Sequence, residues 1–356
     1  MRIVQLNPFH YPFMGGIEHR IHHISSLLAK KHEVFVVTGQ LANTEREEEM
    51  GGYQVIRLPS KFYTAYNPPH IVTQGILEEL NDISPDVVDF HYRWSGSYRK
   101  AMRRYDGRKV FTFHNTFGEG EGLMRAFSAL NDISYTRFIQ EFDRVVCVSE
   151  FVRNDLKKRG FPAELMESVP NGVDPPEELN EEEGDFILFL GRLVRTKGLD
   201  HLIRAMRFVD QHLVIAGGGP EEAHLRKMVA DNGLKGKVDI RGRVSEEEKH
   251  RLLSMCRLFV FPSTWESYGI AAAEAMSYGK AVVASEVGGL PEVVRDAGRL
   301  VPSRDDSELA SAINDLMGDD DKRRALGQRA REIALEYTWE KAAENMERIY
   351  AEVAES

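Results

Sequence analysis

The sequence predicts an α/β fold of two doubly wound, Rossmann-like domains in tandem. Three observations carry this. The chain has 356 residues, which suits two domains of roughly 170 to 180 residues better than one. Short β-branched runs alternate with helical patterns, the rhythm of a parallel sheet covered on both faces. That rhythm breaks once, at NGVDPPEELNEEEGD (171–185), where two prolines and a cluster of acids continue neither element.

Before the break the strands are expected at 2–6 (RIVQL), 33–37 (EVFVV), 53–58 (YQVIRL), 86–90 (DVVDF), 109–113 (KVFTF) and 144–148 (RVVCV). After it they are expected at 186–190 (FILFL), 212–216 (HLVIA), 237–241 (KVDIR), 257–261 (RLFVF) and 280–284 (KAVVA). This places a first domain at 1–170, a linker at 171–185 and a second domain at 186–337. From Asp305 onward the tail is helical. Its last segment, TWEKAAENMERIYAEV (338–353), sets Trp339, Ala342 or Ala343, Met346, Ile349 or Tyr350 and Val353 at helical spacing, an apolar stripe in need of a surface.

Composition narrows the function. A net charge of −10 argues against a protein that coats nucleic acid. The excess is one-sided: residues 1–170 hold 21 cations and 21 acids, whereas 171–356 hold 25 and 35. Cys147 and Cys256 each sit in an apolar run and read as buried thiols, which fits a reducing, cytoplasmic compartment. No apolar run approaches the roughly 18 residues of a membrane span, and no leader is expected at MRIVQLNPF.

In open α/β sheets ligands bind beyond the carboxyl ends of the strands, so the residues that follow strands are the candidates, and a cleft between two such sheets is the expected site. After the first strand, Gly15 and Gly16 precede a helix whose Ile17, Ile21, Ile24 and Leu28 share one face, a start that suits an anion. His19 and His23 fall opposite that face and read as solvated, and with His10 and His22 nearby but no Cys or Asp they do not suggest a metal. His114 follows an apolar strand, with Asn115 and Thr116 next. Ser149 reads as a helix cap.

The second half carries more. FILFLGRLVRTKGLDHL runs from a strand through Arg192, Lys197 and Gly198 into a helix, and two cations at such a junction suit a diphosphate. Gly217 to Gly219 make a glycine turn without the full spacing of a dinucleotide fingerprint. In RLFVFPSTWESYGIAAAEAMSYG, Glu266 stands in the loop after a buried strand, Gly269 and Ile270 open a helix, and Glu274 lies in its second turn. Apolar surroundings make solvation a poor account of both acids.

Together these residues resemble the retaining glycosyltransferases of family 4, the group 1 glycosyltransferases of GT-B fold. The resemblance spans almost the whole chain: Gly15 and Gly16, His114, Ser149, NGVD (171–174), GRLVRTKG (191–198), GGGPE (217–221) and the E-x7-E of Glu266 and Glu274. It implies a nucleoside diphosphate sugar as donor, bound mainly by the second domain, an acceptor bound by the first, a last helix (338–356) that crosses back, and no metal or other cofactor. The acidic triplet Asp319–Asp321 lies in a polar helical tail, unlike the metal motif of the other glycosyltransferase fold. Residue by residue, Arg192 and Lys197 would clamp the diphosphate, Gly16 would approach it, Glu274 would bind the ribose, Glu266 the sugar hydroxyls, and His114 would face the sugar. Gly217, Tyr268, Gly269 and Ile270 would line the donor site, and Arg243 and Val244 would lie near the base. Ser267 and Tyr268 depart from the Gly or Pro and the Phe of many relatives, which bears on sugar selectivity.

The acceptor leaves less trace. Between Arg93 and Lys109 seven cations face one acid, Asp106, with aromatic residues interleaved, a stretch that would suit an anionic membrane surface or a phosphorylated acceptor. The expected activity is hexose transfer to an acceptor hydroxyl. The rivals are a nucleotide-sugar 2-epimerase of the same architecture and a non-catalytic sugar-nucleotide-binding protein.

Overall fold

The computed structural model describes residues 1–63, 70–115, 135–180 and 182–356; Thr116 lies outside them. The chain divides into two units, one of Met1–Gly172 with Trp339–Ser356 and the other of Val173–Thr338. From Val173 onward, therefore, the segment expected as a linker belongs to the second unit. The buried Val173 donates its N–H to the Tyr337 carbonyl (3.0 Å). Glu183 takes the Arg323 guanidinium (3.0 Å), and Arg331 donates to the Pro176 carbonyl (3.1 Å). One of the acids of this segment, Glu183, is thus a partner of basic side chains on the helix Asp320–Ala334.

The first unit contains β1 (Arg2–Leu6), β2 (Glu33–Gly39), β3 (Glu47–Met50), β4 (Tyr53–Leu58), β5 (Ser60–Tyr63), β6 (His70–Thr73), β7 (Val87–Phe90), β8 (Lys109–Phe113), β9 (Arg144–Cys147) and β10 (Met166–Ser168). Its sheet runs β10-β9-β8-β7-β1-β2-β4-β3, parallel except for the edge strand β3, and β5 pairs with β6 as a separate antiparallel pair. The apolar strands form because parallel strands are buried on both faces and read as continuous hydrophobic runs. β3 (EEEM) escapes that reading because it is a half-exposed, acidic edge.

Helix Gly16–Leu28 buries Ile21, Ile24 and Leu28 on this sheet. Beside it lies the last helix, Trp339–Glu355, whose Trp339, Ala342, Met346, Ile349, Tyr350 and Val353 join the same core. This corrects the expected solvated face of the first helix. His23 stacks on Trp339 at 4.8 Å between ring centroids, and His19 meets that ring edge-on at 5.5 Å. A surface that looks polar within one helix is covered by an aromatic residue more than 300 positions away.

The second unit contains β11 (Ile187–Leu190), β12 (Leu213–Ala216), β13 (Val238–Gly242), β14 (Leu258–Phe261), β15 (Val282–Ser285) and β16 (Gly298–Val301). They form one parallel sheet in the order β13-β12-β11-β14-β15-β16. The order in which successive strands are added reverses between β1 and β7 in the first sheet and between β11 and β14 in the second. Loops leaving the carboxyl ends diverge at such a switch point and open a crevice there.

Candidate active site

At the switch point of the second sheet, the loop after β11 and the loop after β14 are stitched together. The Thr196 carbonyl accepts the N–H of Thr264 (2.8 Å) and the Thr264 hydroxyl (3.3 Å). Gly198 permits this approach: it has a φ of 64°, and a Cβ there would overlap the Pro262 carbonyl. The result places the Lys197 ammonium on the Glu266 carboxylate, with Lys197 also 4.7 Å from the centre of the Phe261 ring. Arg192, in the same loop, is exposed and makes no ion pair among the described residues.

The rest of the donor candidates gather on the same sheet. Gly217, at a φ of 138°, packs against the Gly191 carbonyl with no room for a Cβ, and its N–H donates to Gly242 (2.7 Å). That hydrogen bond joins the ends of β12 and β13, where the stem of Arg243 lies across Gly218 and Val244 follows, half-buried. Tyr268 is buried, Ile270 half-buried, and Gly269 caps the helix Ile270–Ser277 in left-handed conformation, with a φ of 111°.

Glu274 in this helix is half-buried, and burial raises its carboxyl above the ordinary range, partly offset by Lys249 at 3.5 Å. Burial works to lower the Lys249 ammonium, but Glu274 and Glu246 together hold it above its usual value. Sequence reasoning missed Lys249, which sits in an ordinary helix (Glu246–Met255), and it missed Gly288 and Gly289. The Glu266 loop rests on these two glycines: the N–H of Gly289 donates to the Glu266 carbonyl (3.1 Å), and a Cβ on Gly288 would overlap that same carbonyl. A Gly-Gly pair after the strand β15 was the available signal.

In the first unit, His114 follows β8 and meets His91, which follows β7, with 3.0 Å between Nε2 of His114 and Nδ1 of His91. Burial, followed by the nearby Arg20 charge, holds His91 well below the ordinary imidazole range. For His114 burial again leads, then His91 and Arg20. Both rings are therefore neutral. At the start of the first helix, the Glu18 carboxylate folds over Gly15 and accepts from Asn7 (3.0 Å), so this helix N-terminus already carries an anion. Ser149 caps Glu150–Lys158 by accepting from the Val152 N–H (3.1 Å), and Asn171 takes Arg20 (3.0 Å). Both roles are structural.

The basic stretch is largely consumed by packing. Arg93 is buried against Trp94 and Phe113, Arg99 lies over Tyr135, Lys109 lies over Phe142, and Arg108 pairs with Asp143 (3.4 Å). Lys100, Arg103 and Arg104 remain exposed, Arg103 beside Glu141 at 3.5 Å.

The sequence matches the family of glycosyl transferases group 1 over residues 173–333 and glycosyltransferase family 4 over residues 14–177. It is 30% identical over 364 residues to an uncharacterized glycosyltransferase of Methanocaldococcus jannaschii, covering 99% of each chain. The chain belongs to the group 1 glycosyltransferases. This glycosyltransferase is also 28% identical, over 91% of each chain, to a GDP-mannose-dependent phosphatidylinositol monomannoside mannosyltransferase of Mycolicibacterium smegmatis. Its fold is GT-B. The structure of Anabaena HepE in complex with UDP and glucose matches at a TM-score of 0.79 with 19% identity, over 99% of each chain. Among the described residues, no helix is long and apolar enough to cross a membrane.

Proposed function

We propose that this glycosyltransferase moves a hexose from a nucleoside diphosphate sugar to an acceptor hydroxyl, with retention at the anomeric carbon and without a metal. The observation that carries the donor site is the Lys197–Glu266 pair at the switch point of the second sheet. It sets a cation for the diphosphate beside a carboxylate for sugar hydroxyls, with Arg192 exposed in the same loop. Glu274 is assigned to the ribose. Lys197 and Arg192 stabilise the departing diphosphate, the electrostatic work a metal does in other enzymes.

The acidic triplet supports the metal-free reading. Asp319 caps a helix by accepting from the Lys322 N–H (3.0 Å), and Asp320 is taken by Arg257 (2.6 Å) and Arg323. His114 is assigned to the sugar by the family resemblance: a neutral ring accepts a hydrogen bond from a sugar hydroxyl and does not oppose the positive charge of an oxocarbenium-like transition state. The mannosyltransferase and HepE relatives support a nucleotide-sugar donor. Lys100, Arg103 and Arg104 are the cations left for an anionic acceptor or a peripheral membrane contact, and the buried free thiols of Cys147 and Cys256 fit a cytoplasmic site of action.

The test is a thermal-shift panel of UDP-, GDP- and ADP-sugars, since a ligand bound only to the native state raises its stability by mass action. One base is expected to stand out, and its sugar nucleotide to yield an α-linked product when the acceptor is found. No shift with any of them would refute the donor site.

A further inference from the structure

Polar side chains inside a parallel sheet are costly unless fully partnered. The first sheet buries three on adjacent strands at its switch point: Gln5 on β1, Asp89 on β7 and Thr112 on β8, each no more than 1% exposed. Gln5 and Asp89 are register partners. The fully buried Tyr350 of the last helix reaches in to join them.

The hydrogen bonds form one continuous chain whose polarity follows from donor capacity. Above about pH 7, where Asp89 is ionised and can only accept, Thr112 donates to it (2.8 Å), and the Tyr350 hydroxyl donates to its Oδ2 (2.5 Å). With its proton committed to the carboxylate, the Tyr350 oxygen accepts from Gln5 Nε2 (2.9 Å). The other amide atom, Gln5 Oε1, then faces His91 Nε2 at 2.6 Å and can only accept, so that nitrogen carries the proton. The neutral His91 ring thus presents a bare Nδ1, and His114 must donate Nε2–H to it (3.0 Å). Nδ1 of the neutral His114 ring is then the bare, accepting nitrogen.

We propose that the chain Asp89–Tyr350–Gln5–His91 is a positioning relay that fixes His114 as the Nε2–H tautomer, so that the last helix acts on this ring. The inference rests on the assignment of His114 to the donor sugar. A tautomer with Nδ1 bare accepts from a sugar hydroxyl; the opposite tautomer would donate to the hydroxyl oxygen instead and reverse the direction of that hydrogen bond. Gln5, His91 and Tyr350 touch no substrate and act only through His114. The long reach of the final helix then has a chemical reason besides covering apolar surface.

The test uses the full-length protein with 15N-labelled histidine rings, at pH 8, and reads proton–nitrogen correlations of His114. Wild type is expected to show protonated Nε2 and unprotonated Nδ1. Gln5→Met, which keeps the side chain's length but supplies no amide, is expected to mix the two tautomers. Release of UDP from UDP-glucose, or of GDP from GDP-mannose, whichever binds, should slow about tenfold in kcat, the worth of one neutral hydrogen bond, with KM for the donor unchanged. Tyr350→Phe preserves the shape of the core and serves as the second variant, with the same signature at smaller amplitude. An unaltered His114 tautomer in folded Gln5→Met and Tyr350→Phe would overturn the relay, whatever the turnover. A mixed tautomer with full turnover, both there and in His114→Ala, would leave the relay standing and refute instead the role of His114 at the sugar.

Discussion

Because the Lys197 ammonium rests on Glu266, the two residues are predicted to affect binding of a bare nucleoside diphosphate with opposite signs. Lys197→Met removes a charge-assisted hydrogen bond to the diphosphate, about 1.5 to 3 kcal/mol, or about 10- to 150-fold in Kd. Glu266→Gln instead frees the cation. Two unit charges about 4 Å apart attract by about 4 kcal/mol at an effective dielectric near 20. The side chains keep 16% and 15% exposure, and with solvent screening of the pair about a quarter of that, ~1 kcal/mol, is taken as the competition with the ligand. Glu266→Gln should therefore tighten UDP or GDP binding about fivefold, while transfer from the intact sugar nucleotide falls. Titration calorimetry with the bare diphosphate separates these effects, because that ligand lacks the sugar to which Glu266 is assigned in the proposed function. Weaker binding by Glu266→Gln would refute the competition, and an unchanged Kd in Lys197→Met would refute the diphosphate assignment.

Three further outcomes follow from the geometry. Glu274→Ala should abolish transfer while leaving the melting temperature within a few degrees of wild type, since the carboxylate contributes little to folding against its raised pKa; retained turnover would remove Glu274 from the ribose. Gly217→Ala must fit a Cβ against the Gly191 carbonyl at a φ of 138°, which should cost about 3 kcal/mol or more, read as a lowered urea midpoint, and a silent substitution would contradict the close approach of the two loops. Burial raises the Asp89 carboxyl to about 7, partly offset by the Tyr350 and Thr112 hydrogen bonds. Its contribution to stability is therefore full below about pH 4 and is lost as pH rises to about 7, by up to ~1.4 kcal/mol per pH unit. The Asp89→Asn variant should gain on wild type across that window and run parallel above it; parallel curves throughout would show that the carboxyl is not held protonated.

Much of the fold is legible in the sequence because a parallel strand buried on both faces must be apolar throughout. The runs at RIVQL, KVFTF, FILFL and RLFVF are strands for that reason. The strands that escape are short or lie at edges, such as β3, β10 (Met166–Ser168) and β16, where the pattern has too few residues or too many charges to speak. In the site, Arg192, Lys197, Glu266 and Glu274 are visible as charges stranded beside apolar runs. Lys249 is not, since a lysine on a helix is the commonest of surface residues. Gln5 and Asp89 were in plain view as polar interruptions of apolar strands, a signal that asks for a partner without saying which.

By itself the sequence determined two α/β halves, their buried apolar strands, the amphipathic last helix and the family. All of these depend on local periodicity and on motifs read in order. Only the tertiary structure decided that the strand order reverses between β11 and β14, which brings Lys197 to a glutamate 69 residues away. It likewise decided that Tyr350 lies on Asp89 across 261 residues. Hydrophobic patterning specifies which face of an element is buried, but not which distant element buries it. That choice belongs to sheet order and packing, and here it turns scattered polar residues into a site.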